Sequence, residues 1–165
     1  METIIMKRRG IEERSKTTFP DKTAVISITD AGYPFAELLH QPSKHLKSAF
    51  NDVDGDVFLD ELGSNPTDKE RIRIEKKYHM ISDAQAAEIA VFYHVCVQQD
   101  VKTLIVQCEY GQSRSAAVVA AIREFESKDG ISIFADDRYY PNKVVFRKTL
   151  KALRAHKEIN CVSVG

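Results

Sequence analysis

One junction constrains this chain more than any other. Thr103-Leu104-Ile105-Val106-Gln107 is mostly apolar, with two β-branched aliphatics, and runs straight into Cys108; Ala116-Ala117-Val118-Val119-Ala120-Ala121-Ile122 follows after a short polar stretch. The first run predicts a buried strand and the second the opening of a buried helix. Between them, Cys108-Glu109-Tyr110-Gly111-Gln112-Ser113-Arg114-Ser115 has to turn the backbone from a strand end into a helix start.

A helix start presents backbone N–H groups without intrahelical partners and the positive end of the helix dipole, so an anion is favoured there. A thiolate is one such anion, because helix N-termini favour thiolate over thiol. A bound phosphate is another. The five residues between Cys108 and Arg114 are enough to curl a ring of amides around a tetrahedral oxyanion, and a guanidinium can hold two of its oxygens through parallel hydrogen bonds. Gly111 lies mid-loop, where a reversal without a Cβ is most useful. Ser115 carries a hydroxyl able to hydrogen-bond the sulfur. The plainer reading makes Cys108 a small buried hydrophobe and Arg114 a surface residue.

Cys108 to Ser115 resembles the Cys-x5-Arg-Ser/Thr signature of the cysteine-dependent protein tyrosine and dual-specificity phosphatases. A rhodanese-like sulfurtransferase also sets a cysteine in such a loop, but a shorter one. The phosphatase resemblance implies a dual-specificity-phosphatase-like α/β fold, with a mostly parallel central sheet flanked by helices, in a single domain over residues 1–165. It implies phosphoester hydrolysis through a phosphocysteine, with Cys108 as nucleophile. Glu109, Tyr110, Gly111, Gln112, Ser113 and Arg114 would form the phosphate-binding P-loop, and Ser115 would stabilise the sulfur as a leaving group. No cofactor or metal is required, and the expected partner is a phosphorylated protein or peptide. A phosphate-binding module without turnover is one alternative; a phosphatase for a phosphoinositide or an RNA 5′ phosphate is another.

The leaving oxygen needs a proton, and a carboxylic acid on a neighbouring loop is the usual donor. In the family this aspartate lies upstream of the cysteine, after a strand and before the helix that precedes the nucleophile strand. Asp52 fits that slot and Asp54 is the runner-up, both within Asn51-Asp52-Val53-Asp54-Gly55-Asp56. A calcium loop would need an oxygen at Phe50, which has none. Two residues depart from the family pattern. Gln107 stands where such phosphatases commonly have histidine; an amide can still donate a hydrogen bond that orders the loop, but it cannot become a cation. Glu109 adds a negative charge that costs little if it points outward and opposes thiolate and phosphate if it points inward.

The remaining chain alternates strand and helix patterns, which argues for a mostly parallel sheet. Strands are expected at Ile4-Ile5-Met6, Thr23 to Thr29 and His45 to Phe50, and a short polar helix from Gly10 to Phe19. Asp30-Ala31-Gly32-Tyr33-Pro34 leaves a strand's carboxyl end, where ligand crevices of such sheets lie; Asp30 and Tyr33 are either pocket neighbours or turn residues. Residues 57–80 read as an insertion, with a turn at Gly63-Ser64-Asn65-Pro66 and a half-exposed strand at Arg71-Ile72-Arg73-Ile74. Lys69, Arg71, Arg73, Lys76 and Lys77 make it basic, either a solvated excursion or a rim attracting an acidic phosphosubstrate. Ser82-Asp83 caps a helix that ends near Asp100, the helix after the loop closes at Asp129-Gly130, and a final amphipathic helix runs from Val144 to Ala155.

Composition narrows the partners. Of 165 residues, 24 are basic and 24 acidic, so no net field draws the chain to nucleic acid or to a membrane surface, and neither is expected as a partner. Cys96, Cys108 and Cys161 show no Cys-x-x-Cys spacing, which fits reduced thiols in a cytoplasm. No apolar run approaches the roughly 20 residues of a membrane span. Oligomeric state and physiological substrate are not encoded in any of these features.

Overall fold

The computed structural model describes residues 1–62 and 65–162, with side chains at all of these except Leu59 and residues 157–162. Four strands, β1 (Glu2–Lys7), β2 (Thr23–Thr29), β3 (Lys44–Ala49) and β4 (Thr103–Cys108), form one sheet in the order β1-β4-β2-β3. Every pairing is parallel, so this is an α/β fold. The helices are α1 (Arg8–Arg14), α2 (Asp56–Leu62), α3 (Asp68–Lys77), α4 (Asp83–Gln98), α5 (Arg114–Ser127), α6 (Ile131–Phe134) and α7 (Lys143–Val162). None among the described residues is long and apolar enough to cross a membrane.

The two inner strands carry the β-branched runs, and all seven residues of β2 are buried. Alternation along the strands divides the core in two. Ala24, Ile26 and Ile28 of β2 and Leu104, Val106 and Cys108 of β4 face the larger cluster, shared with α4, α5 and α7. Val25 and Ile105 face a smaller cluster built on Ile11 and Phe19. Residues Arg114 to Ile122 of α5 are buried on all sides. Its alanines let the sheet and α7 approach closely, so this helix is held by packing rather than by an amphipathic stripe.

Local chemistry sets most boundaries. Ser82 and Gln85 form a reciprocal capping box at the start of α4. The helix predicted from Gly10 to Phe19 instead spans Arg8–Arg14, because the Ser15 hydroxyl donates to the Glu12 carbonyl at 2.7 Å and accepts from the Leu39 amide at 3.1 Å, turning the chain away. The left-handed residue that closes α5 is Lys128, at φ 63°, not Gly130. Gly130 is needed for contact instead: a Cβ there would lie 2.8 Å from the Ala120 carbonyl oxygen.

The inserted segment is helical, which corrects the strand expected at Arg71 to Ile74. Thr67 and Glu70 form a second capping box, and the run that follows is rich in Lys, Arg and Glu, which favour helix. Ile72 and Ile74, two apart, would share one face of a strand but fall on different faces of the helix; Ile74 is buried and Ile72 exposed. Of the turn expected at Gly63 to Pro66, Gly63 and Ser64 lie outside the described residues.

β3 is an edge strand, and its His45 ring nitrogen Nε2 lies 2.9 Å from the Ser27 hydroxyl. Burial, with a smaller contribution from the Lys47 charge, lowers the His45 pKa below its ordinary 6.5. The unfolded chain therefore takes up a proton at a higher pH than the native one, so this contribution to stability is complete above about pH 6.5 and is lost as pH falls through the lower native value. His45→Gln, which retains a hydrogen-bonding side chain, is expected to flatten the fall in melting temperature below pH 6.5; an unchanged slope in thermal melts would contradict this.

Candidate functional site

Three neighbouring parallel strands, β4, β2 and β3, end at one level of the sheet, and their carboxyl ends supply the site. β4 ends at Cys108, β2 delivers Asp30 one residue beyond its last, and β3 delivers Phe50 in the same way. The Cys108 sulfur lies 3.1 Å from the Ser115 hydroxyl. Both residues are buried, Cys108 with 2% of its surface exposed. The sulfur is thus less accessible than an open nucleophile would be, because it sits at the end of an inner strand beneath the first turn of α5.

Arg114 is turned inward, 3% exposed. Its Nη1 donates to Asp30 Oδ1 at 2.6 Å and to the Phe50 carbonyl at 2.6 Å. Its Nε is buried with no hydrogen-bond partner. Among the described residues Nη2 makes no hydrogen bond either, so the Nε–Nη2 edge, which can grip two oxygens in parallel, is unoccupied while the opposite edge is anchored. A buried donor left unpaired costs about 1–3 kcal/mol, which an acceptor ligand would recover.

The loop backbone has the same asymmetry. The Glu109 carbonyl accepts from the Arg8 amide at 3.1 Å and the Gln112 carbonyl from the Tyr140 amide at 2.9 Å. By contrast, among the described residues none of the amides of residues 109–114 donates to a protein acceptor. Carbonyls are tied to neighbouring segments while donors are left over, the arrangement that favours an anion. Gly111, at φ 70°, is required twice over: a Cβ would be strained in this conformation and would stand 2.8 Å from the Lys7 nitrogen.

Asp52 joins the loop from the segment after β3. Its Oδ1 accepts from the Ser113 hydroxyl at 2.7 Å and from Asn142 Nδ2 at 2.9 Å, while its Oδ2 makes no hydrogen bond among the described residues. Asp54 is not brought to the loop; its Oδ1 accepts from the following Gly55 amide at 2.6 Å. Ser113 spends its hydroxyl on Asp52 and makes no side-chain cap for α5. Glu109 points outward to Arg8 Nη1, 3.0 Å away, so its charge is paired outside the loop. Tyr110 is 76% exposed, as a rim residue would be.

Gln107 corrects an expectation. It lies on the opposite face of β4 from Cys108, next to Ser27 in register, and its buried Oε1 has no partner. Among the described residues it makes no side-chain hydrogen bond, so it does not order the loop in that way. Asp30, read from sequence as either a pocket neighbour or a turn residue, is the counter-ion of Arg114. Asn142 was missed. Its Oδ1 accepts from the Val144 and Val145 amides at 3.0 Å each, capping α7, while its Nδ2 also donates to the Val53 carbonyl at 3.1 Å. Pro141-Asn142 ahead of an amphipathic run signals a cap, but nothing local marks its second partner, 90 residues upstream.

No protein-family model, curated protein or solved structure matches this chain.

Three substitutions at two positions separate the parts. Gly111→Ala is expected to lower unfolding free energy by about 2 kcal/mol or more, from the left-handed backbone together with the contact against β1; an unchanged urea midpoint would contradict it. Asn142→Ser keeps a capping oxygen but loses the amide donor to Asp52. It is expected to melt within about 1 kcal/mol of the parent, whereas Asn142→Asp, which sets a second carboxylate against Asp52, is expected to lose more.

Proposed function

We propose that this chain is a cysteine-dependent phosphatase that hydrolyses phosphate monoesters, with phosphorylated protein or peptide as the substrate class. One observation carries the reading: the unspent donors of residues 109–114 and of the Arg114 Nε–Nη2 edge belong to the same loop that begins at Cys108. Backbone and guanidinium N–H donors of this kind suit the oxygens of a phosphate. The 14-residue helix α5 adds the positive end of its dipole.

In the proposed mechanism the Cys108 sulfur, as thiolate, forms a bond to phosphorus as the bond to the ester oxygen breaks. Arg114 and the loop amides hold the equatorial oxygens through this step. Asp52, held through Oδ1 by Ser113 and Asn142, gives the departing oxygen its proton from the free Oδ2. As a carboxylate it then takes a proton from water, whose oxygen attacks phosphorus and releases inorganic phosphate and the Cys108 sulfur. The Ser115 hydroxyl, 3.1 Å from that sulfur, stabilises it as it leaves. Asp30 and the Phe50 carbonyl act through Arg114 and are positioning groups.

Protein substrates are supported by the rim. Tyr110 is in the loop, Tyr140 is bonded through its amide to the Gln112 carbonyl, and Tyr33 follows Asp30 closely; all three are exposed. Free cysteines at Cys96 and Cys108 fit a cytoplasmic setting. A second reading, a phosphate-binding module without turnover, rests on the low exposure of Cys108.

Hydrolysis of p-nitrophenyl phosphate decides between them. Turnover inhibited by vanadate and abolished in Cys108→Ser is expected, and phosphate binding with no turnover would establish the module instead. Asp52→Asn is expected to slow a substrate with a poor leaving group by roughly 10²–10⁴-fold and p-nitrophenyl phosphate far less; Asp54→Asn should leave both rates near the parent's. Arg114→Lys, which keeps the charge but not the fork, is expected to raise KM and lower kcat together.

Cys96 provides an internal control. Burial pushes its thiol up to about 11, so alkylation at pH 7 in the folded protein should leave Cys96 unmodified by mass spectrometry.

A further inference from the structure

Beside the loop lies a cleft of about 540 Å³ that the phosphate chemistry does not use. One wall is the inserted helix α3, through Ile72 and Lys76, with His79 and Met80 just beyond it. The other includes Ala31 and Ala49. Ala31 follows Asp30, the counter-ion of Arg114, and Ala49 precedes Phe50, whose carbonyl anchors the same guanidinium. Consecutive Cα atoms are about 3.8 Å apart, so the cleft opens about one residue's length from the segments that hold Arg114. Asn51 ties these walls together, accepting from the Ala31 amide at 3.0 Å and donating to the Tyr78 carbonyl at 3.0 Å.

The charges in this cleft are unevenly committed. Its acids, Glu75 and Asp83, are both engaged by Lys148, at 2.8 and 2.9 Å. Lys151 adds a further positive field at Asp83, whose carboxyl is held below its usual range chiefly by the hydrogen bond from Lys148. Lys76 and His79, in contrast, are exposed and make no side-chain hydrogen bond or ion pair among the described residues. The cleft therefore offers a free ammonium and an imidazole over a floor of Ala31, Ala49 and Met80.

Resting on the phosphatase reading, we infer that this cleft is a specificity subsite for an acidic side chain one or two residues from the phosphorylated residue of a peptide substrate, with Lys76 as its principal recognition group. An extended peptide advances about 3.3–3.6 Å per residue, so a neighbour of the phosphoresidue bound at Arg114 comes within reach of the cleft. The insertion that carries α3 then has a purpose in recognition: it builds the cleft's outer wall and brings the unpaired lysine to it. Lys76 is a specificity residue and takes no part in bond breaking.

The test uses the full chain and a set of phosphotyrosine peptides with Asp, Ala or Lys at each of the two positions on either side of the phosphoresidue. At one position, Asp is expected to exceed Ala in kcat/KM by about twofold to fivefold, the range of an exposed ion pair. Lys76→Glu should reverse that order to Lys over Ala over Asp, and Lys76→Ala should remove it, with turnover of p-nitrophenyl phosphate unchanged in both variants. The inference is overturned if the parent shows no preference at any position, or if Lys76→Glu keeps the parent's order. It is also overturned if a multiply phosphorylated inositol headgroup outruns every peptide in a Lys76-dependent way. A parent that fails to turn over p-nitrophenyl phosphate overturns the phosphatase reading itself, and that outcome is distinct from loss of peptide preference with aryl phosphate turnover intact.

Discussion

A buried guanidinium is the constraint around which the carboxyl end of the sheet is assembled. Taking the charge of Arg114 out of water costs several kcal/mol unless it is paired and hydrogen-bonded. The pairing comes from Asp30 at 2.6 Å and the Phe50 carbonyl at 2.6 Å, on the segments that leave β2 and β3. Three parallel strands must therefore end in register for the arginine to be accommodated at all. The anchored Nη1 also fixes the orientation of the group, so its other edge is presented without further ordering to whatever enters the loop. Preorganisation of that kind is where electrostatic catalysis gains most.

Other elements act on the loop through single contacts of high consequence. β1 presses on Gly111 so closely that no Cβ fits, which holds the loop's curl against the sheet edge. Asn142 connects helix α7 to Asp52, so the cap of the last helix and the placement of the proposed acid depend on one side chain. Arg8, at the start of α1, pairs with Glu109 and keeps a carboxylate from facing the donors. The loop is thus held from three sides, with the Glu109 and Gln112 carbonyls bonded to neighbouring segments and, among the described residues, its six N–H groups left without a protein acceptor.

Much of this was legible in the residues themselves. The strand into Cys108 and the buried helix after it follow from two apolar runs that residue type rather than period tells apart, β-branched Ile105 and Val106 in the strand and alanines in the helix. Ser82 with Gln85 announces its helix through chemistry confined to four residues. The register of Cys108, Arg114 and Ser115 brings thiol, guanidinium and hydroxyl to one turn because the loop is short. The insertion was misread for an equally local reason: Ile72 and Ile74 alternate, and two apolar residues cannot distinguish a period of 2 from one of 3.6 when the cap that settles the matter lies upstream at Thr67.

What the chain determined unaided is what local pattern carries: the alternation of strands and helices that underlies the parallel α/β architecture, and the strand, loop and helix around residues 108–115. Only the tertiary structure decided which carboxylate meets that loop, because Asp52 and Asp54 differ locally in nothing but position, and Asn142 lies 90 residues away from the one it selects. It likewise decided that Asp30 neutralises Arg114, 84 residues apart, and that Gln107 turns its back on the cysteine beside it. Contacts of that span cannot be read from a linear pattern, since they exist only once the strands have aligned and brought their ends together.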